Sequence, residues 1–331
     1  MDQRTLGRTG RTVSVIGLGT WQLGADWGDV TEHDARAVLD ASHSAGVTFF
    51  DTADVYGDGR SETIIGGWRA GLSDADRSAI TVATKMGRRL NNLAEEYTAA
   101  NFRSWTDRSR SNLGMDTLDL VQLHCPPTAV FHDDAAYDAL DGLVASGAIA
   151  AYGVSVETVE QALLAIARPH VASVQIILNA FRLKPLDEVL PAARDAGVAI
   201  IARIPLASGL LSGRYRHDTA FAADDHRTYN RHGESFDQGE TFSGVDFDEG
   251  VDAAKEFSAL AEGAGLPAAE AAIAWVAQLP GVSAVIPGAR NVQQAEANAA
   301  AGSVAPLGDG FTAAVRELYD RRFRAAIHER W

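Results

Sequence analysis

A single cysteine in 331 residues, Cys125, excludes an intramolecular disulfide and fits a reducing compartment. Positive charge is also scarce. Lys and Arg number 29 against 44 Asp and Glu, a formal charge of −15, and an acidic surface offers neither nucleic acid nor an anionic membrane a counterpart. An anionic small ligand would need its own local cations. No stretch approaches the roughly 18 uninterrupted apolar residues of a membrane span. The N-terminus, MDQRTLGRTGRTVSVIG, has no apolar signal-peptide core. A soluble cytoplasmic protein is expected. No linker divides the chain, and 46% hydrophobic content is ample for one core, so one domain over 1–331 is expected.

What is present is a rhythm. Apolar runs rich in β-branched residues occur at 13–20, 47–53, 80–86, 118–124, 149–155, 171–180, 198–205 and 282–289. Continuous rather than alternating hydrophobicity suits strands buried on both faces of a parallel sheet. Amphipathic segments lie between them. Thr31 reads as the N-cap of a helix running to Ala45, with Asp34 box-like and Gly46 as the exit; the same helix–glycine–strand join returns at Gly147 and Gly197. This repetition predicts an α/β fold, a (β/α)8 TIM barrel. RTLGRTGRTVSV predicts an N-terminal β-hairpin that overlaps the first barrel strand. Residues 214–247 predict a long loop after strand 7, and the tail 302–331 one helix packed on the barrel or reaching its mouth.

Four strand ends carry chemistry: Asp51 after TFF, Tyr56 in TADVYG, Lys85 after ITVAT and His124 after LVQL. In a barrel these ends share one face. Tyr56 is the natural acid, with Lys85 expected to lower its pKa, Asp51 to hold the ammonium, and His124 to donate to a carbonyl oxygen. Taken singly, each has a simpler reading as a cap or a packing residue; together they are hard to explain by packing.

The chain resembles the aldo-keto reductases over nearly its whole length. The resemblance rests on GLGTWQLG (17–24), FFDTADVYG (49–57), TKMG (84–87), QLHCPP (122–127), GVS (153–155), PLASGLLSG (205–213) and IPGAR (286–290). It implies that Asp51, Tyr56, Lys85 and His124 are the catalytic four, with hydride from NADPH C4 reaching a carbonyl carbon and the proton coming from Tyr56. A Rossmann fingerprint is absent, since Gln22 stands where a third glycine would follow Gly17-Leu18-Gly19. Gly19 and Thr20 are instead expected at the nicotinamide end, beside Asp51.

By the same resemblance Ser155 and Gln175 hold the carboxamide. Val156 replaces the family's frequent Asn, a bond that Asn179 could supply. Arg203 stands where many members stack an aromatic under the nicotinamide, two residues before Pro205 and close to Leu206. A cation there would disfavour NADP+ relative to NADPH. Ser208, Gly209, Leu211 and Gly213 are implied along the pyrophosphate, with Arg214 adding charge. Gly288 and Ala289 would approach the adenosine, Arg290 would take the 2′-phosphate and favour NADPH over NADH, and Gln294 and Asn298 would read the adenine or ribose. Ala297 replaces a common Glu.

Trp21 and Trp27 are the expected substrate wall, above a polar floor of Tyr56 and His124. Cys125 beside His124 faces away along a strand and is not expected as a nucleophile. His217, His226 and His232 with Asp224 and Asp225 match no compact metal spacing, so no metal is expected. The alternative to a carbonyl reductase is a cofactor-binding regulatory barrel resembling the potassium-channel β subunits. A Schiff-base enzyme using Lys85 leaves Tyr56 and Arg290 unexplained. Oligomeric state is open.

Overall fold

The computed structural model describes residues 1–24 and 30–331. It contains β1 (Gln3–Thr5), β2 (Thr12–Ser14), β3 (Leu18–Gly19), β4 (Phe49–Asp51), β5 (Thr81–Met86), β6 (Leu120–His124), β7 (Tyr152–Ser155), β8 (Val171–Ile177), β9 (Ala199–Arg203) and β10 (Val282–Val285). β3 to β10 form one parallel sheet in chain order. Parallel bridges from Ile16 to Val285 and from Gly19 to Gly288 join its two edges, closing an eight-stranded barrel. The expected (β/α)8 fold is the fold observed.

The run 13–20 divides where its bonding partner changes. Up to Ser14 it pairs antiparallel with β1; from Gly17, whose amide donates to the Val285 carbonyl at 2.8 Å, it belongs to the barrel. The helix joins follow the sequence reading. Thr31 caps Glu32–Ser44 by accepting from the Asp34 amide, and Gly46 leaves the helix at φ 90°.

The hairpin plugs the amino-terminal end of the barrel. Leu6 is fully buried among Val13, Phe49, Ala83, Leu120, Ala199, Ile201 and Ala284. Three arginines tie the plug to backbone carbonyls around the barrel: Arg8 reaches Pro169 (2.6 Å), Val171 (3.1 Å) and Ala196 (2.8 Å), Arg11 reaches Ile80 (2.8 Å) and Arg4 reaches Val282 (2.5 Å).

At the opposite end, the segment after β9 carries a short helix, His226–Tyr229, and several single turns before the helix Phe247–Gly263. The tail forms Gly308–Arg322 and Arg324–Ile327 and does reach the mouth. The buried Trp331 donates from Nε1 to Asp237 at 2.8 Å, and its ring lies 4.2 Å from the Arg182 guanidinium.

Beneath the turn from β4, Asp54 is wholly buried, and neither carboxylate oxygen has a hydrogen-bond partner among the described residues. Burial first, then repulsion from Glu62, push its pKa up to about 7, against the pull of Arg89 and Arg108.

Two stability predictions follow from this packing. At Gly7, φ is +49° and an added Cβ would lie 2.3 Å from the Ala172 carbonyl oxygen. Gly7→Ala should therefore cost about 2–3 kcal/mol in chemical denaturation; an unchanged midpoint would show that the plug is dispensable. Asp54 takes up its proton in the fold well above the pH at which an unfolded carboxyl does. Stability is thus lost as pH rises from about 4 to about 7 and levels off beyond. The stability of Asp54→Asn minus that of wild type should climb over that interval by up to a few kcal/mol, and a pH-independent difference would contradict the buried acid.

Candidate active site

The four strand-end residues meet at the mouth. Lys85 at the end of β5 is 1% exposed, and its Nζ donates to Asp51 Oδ1 (2.5 Å), to the Thr52 carbonyl (2.9 Å) and to Tyr56 Oη (3.4 Å). The second Asp51 oxygen accepts from Gln122 Nε2 (3.1 Å) and Gln175 Nε2 (2.8 Å). Every polar atom of this buried pair is therefore engaged, the condition for keeping an ion pair out of water. The His124 ring stands edge-on to Tyr56, centroids 5.9 Å apart.

Electrostatics correct one expectation. Burial raises the Tyr56 pKa, and Lys85 opposes that rise without reversing it. Burial also works against the Lys85 charge, yet Asp51 and Tyr56 carry its pKa above the ordinary value. His124 is held well below the usual range by burial and by Arg88, Lys85 and Arg203, so it is a neutral imidazole near pH 7. The site thus holds a protonated phenol against an ammonium, next to a neutral ring able to donate one hydrogen bond.

Several residues assigned to a cofactor already have work in the fold. Gly19 donates to the Pro287 carbonyl at 3.0 Å and pairs with Gly288, so both glycines close the barrel. Thr20 donates from Oγ1 to the Asp51 carbonyl at 2.9 Å and accepts from Ser61 at 2.9 Å. Ser155 Oγ lies 3.4 Å from Gln175 Oε1, placing the two side by side. Asn179 holds the Ile204 carbonyl (2.8 Å) and Ser243 (2.7 Å), while Ser208 accepts from the Phe242 amide (3.0 Å). Both therefore fasten the segment after β9. Leu211 is in the core, so only its backbone remains for the assigned role, and Leu206 packs against the same core.

The turn leaving β9 is strained. Ile204, Ala207 and Ser208, flanking Pro205 and Leu206, all have positive φ (56°, 47° and 54°), with Gly209 at 98° and Gly213 at 70°. Such clustering of non-glycine residues in the left-handed region occurs at ligand clamps. Burial raises the pKa of Tyr215, whose hydroxyl donates to the Ser208 carbonyl in this turn, against the pull of Arg227 and, more weakly, of Arg290, which precedes the helix Val292–Ala300. Gln294 accepts from the Arg290 amide (2.8 Å) and Asn298 donates to the Gly288 carbonyl (3.0 Å), bracing that turn. A strained backbone turn with an exposed arginine within electrostatic reach of Tyr215 beside it suits a phosphorylated ligand.

Arg203 is where the sequence reading changes most. It is not an uncompensated cation. Its guanidinium binds Glu157 at 3.0 Å and faces Glu240 at 3.8 Å, and Arg88 joins both carboxylates at 3.0 and 2.9 Å. The expected penalty on an oxidised nicotinamide loses its basis. Burial opposes ionising Glu157, but Arg203 and Arg88 bring it down to about 2. Glu240 stays raised, through burial and the neighbouring Glu157. Sequence reasoning missed Arg88, Glu157, Glu240 and Arg182, whose Nη2 donates to the Glu157 carbonyl at 2.8 Å. Arg88 and Glu157 lie only three and two residues beyond Lys85 and Ser155, and that proximity was the available signal. Glu240 offered none.

Trp21 stacks on Tyr56 at 6.0 Å and also packs on His226 at 5.1 Å and Phe236 at 6.0 Å, both from the segment after β9. Trp27 lies outside the described residues. Burial pushes the Cys125 thiol up to about 12, which suits no nucleophile. The histidines considered for a metal diverge: His217 pairs with Asp248 (2.9 Å) and Asp252 (3.1 Å), while His226 sits against Trp21 beside Asp225 (3.4 Å). The backbone amide of His232 donates to Glu234 (2.9 Å).

Known proteins resemble this chain over nearly its whole length. The aldo-keto reductase YhdN of Bacillus subtilis is 29% identical over 90% of this chain and 87% of its own. A probable voltage-gated potassium channel subunit beta of rice, Oryza sativa, is 30% identical over 93% of both. The solved glycerol dehydrogenase of Gluconobacter oxydans superposes with a TM-score of 0.79 at 27% identity, covering 97% of this chain and 96% of that one. The sequence profile of the Aldo/keto reductase family matches residues 15–320, and the chain belongs to that family.

Proposed function

We propose that this chain reduces an aldehyde or ketone to the alcohol with NADPH, reversibly, as a single domain over 1–331. The observation that carries the reading is the contact of Tyr56 Oη with Lys85 Nζ at 3.4 Å, beside an Asp51–Lys85 pair that is itself buried. When bound, NADPH supplies the hydride. The chain's own residues do the rest. Tyr56 gives its phenolic proton to the carbonyl oxygen, and Lys85 stabilises the phenolate left behind, the ammonium being held by Asp51. His124, neutral, donates to the same oxygen and orients it. Ser155 and Gln175 would hold the carboxamide, the turn at 204–213 the pyrophosphate and Arg290 the 2′-phosphate, the basis for NADPH over NADH. The single cysteine and acidic surface support a cytoplasmic setting.

The rice relative keeps a regulatory reading in view, a barrel that binds cofactor and acts through a partner. All four strand-end residues are present and in contact here, which favours turnover. The decisive experiment follows NADPH oxidation with 4-nitrobenzaldehyde. Tyr56→Phe should lower kcat by at least ~100-fold while leaving NADPH binding measurable by fluorescence. Binding without turnover in the wild type, across a broad carbonyl screen, would favour the regulatory barrel instead.

The pH profile is a separate check. Tyr56 keeps its proton beyond the ordinary phenol range and His124 stays neutral down to acid pH. Carbonyl reduction should therefore be level from about pH 6 to about pH 9, and alcohol oxidation, which needs the phenolate, should rise through that range. A reduction rate that falls with an inflection near neutrality would contradict these assignments.

A further inference from the structure

The segment after β9 and the C-terminal tail enclose a second cavity, of about 610 Å³. Phe242, Val245 and Phe247 line it from the segment, and Phe323, Ala326 and Ile327 from the tail. All but Ala326 are at most 8% exposed, so its floor is apolar. The volume lies in the range of small-molecule sites, ~300–1,000 Å³. The catalytic four, Trp21 and the ionic cluster at the mouth all lie outside its lining.

The rim is charged, and its charges are not equally engaged. Formally it balances, Arg231, Arg322 and Arg330 against Asp246, Asp248 and Glu249, with His217 and the exposed His232 beside them. Asp246 caps the helix Phe247–Gly263, accepting from the amides of Asp248 (3.0 Å) and Glu249 (3.1 Å). Asp248 is bound by His217 at 2.9 Å, and His217 also binds Asp252 at 3.1 Å. Glu249 is bound by Arg322 at 3.1 Å, and Arg322 pairs with Glu256 as well. Every rim carboxylate therefore has a partner. Arg231 and Arg330 have no acidic one among the described residues. Arg231 donates from Nε to the Arg227 carbonyl at 3.2 Å, and Arg330 from Nη2 to Gln238 at 2.5 Å. The Arg231 guanidinium also lies 4.9 Å from the Phe247 ring and 5.6 Å from the Phe242 ring, so it joins the cationic rim to the apolar floor.

Two arginines without anions, over an apolar cavity in a chain of net charge −15, select a ligand class. The forked donors of a guanidinium match a carboxylate two hydrogen bonds at a time. A bare inorganic anion would leave the floor unused. An amine would meet two uncompensated cations, and a neutral apolar molecule would leave both unmatched.

We propose that this cavity binds an organic carboxylate with an apolar body, an aromatic acid or a medium-chain fatty acid. Arg231 and Arg330 take the carboxylate, and Phe242, Val245, Phe247 and Phe323 take the body. The site is additional to the active site and does not rest on the reductase reading. It adjoins the mouth, because Arg330 holds Gln238 in the turn Gln238–Glu240, and Glu240 accepts from Arg88 at 2.9 Å.

Calorimetric titration of the full chain in excess NADPH tests this with 1-naphthoate and octanoate, each beside its neutral counterpart, 1-naphthalenemethanol or 1-octanol. At least one acid should bind once per chain and at least ~10-fold more tightly than its alcohol. A preference for naphthoate identifies an aromatic ligand, and one for octanoate an acyl chain. Arg231→Met/Arg330→Met should weaken that acid at least ~10-fold. Arg330→Gln, at an exposed position, should act in the same direction and serves where the double variant does not fold. Ala326→Trp, which puts an indole into the cavity, should abolish binding, while Tyr56→Phe should bind the acid as wild type does. Failure of both acids to bind, equal affinity for acid and alcohol, or acid binding that survives Ala326→Trp overturns the site. Loss of binding in Tyr56→Phe places the acid at the mouth and overturns it too. Carbonyl turnover enters none of these measurements, so the reductase reading stands or falls separately.

Discussion

The buried pair of Asp51 and Lys85 is the constraint on which the mouth of this barrel depends. Two opposite charges at 1–3% side-chain exposure survive only if every remaining lone pair and proton is matched. The matching groups come from four strands: Asp51 from β4, Lys85 from β5, Gln122 from β6 and Gln175 from β8. None of these strands could provide the environment alone. Closure of the sheet is therefore a requirement of the chemistry as well as of packing. The Arg-tied hairpin at the far end and the Gly19–Gly288 bridge both keep that ring of strands shut.

What was legible in the sequence follows from what local residues encode. Continuous apolar runs placed the eight barrel strands, and Thr31 with Gly46 placed a helix end for end, because caps and exits are read from a few adjacent residues. Asp51, Lys85 and His124 were legible because each lies at the end of such a run, and Tyr56 because it follows in the turn just beyond Asp51; a parallel barrel brings run ends together. The ionic cluster was not. Glu240 lies 37 residues beyond Arg203 in a stretch without periodicity, and only the folded segment brings it to Arg88 at 2.9 Å. The sign of the Tyr56 shift was hidden for a related reason. Lys85 could be named as the force that lowers it, but the opposing force is burial, and burial is a property of the assembled mouth.

Asn179 and Ser208 show how one residue type admits two uses. Ser208 was expected along the pyrophosphate and Asn179 as the replacement for the bond missing at Val156, and both side chains also secure the segment after β9, through Phe242 and Ser243. The segment that covers the mouth is thus fastened to residues at the site it covers. Trp331, bonded to Asp237, adds a tie from the far end of the chain.

The same interdependence explains why Arg203 need not be an aromatic. An isolated guanidinium at the end of β9 would carry its charge uncompensated into a low-dielectric site and repel a cationic ring. Glu157, bound at 3.0 Å, compensates that charge, with Glu240 at 3.8 Å. The substitution is tolerable only as part of a set: removing Arg203 alone would leave two buried carboxylates sharing Arg88, and removing either carboxylate would restore the cation. Such a set cannot be exchanged one residue at a time without passing through a buried, unpaired charge costing several kcal/mol. Arg88, Glu157, Arg203 and Glu240 are therefore expected to stand or fall together.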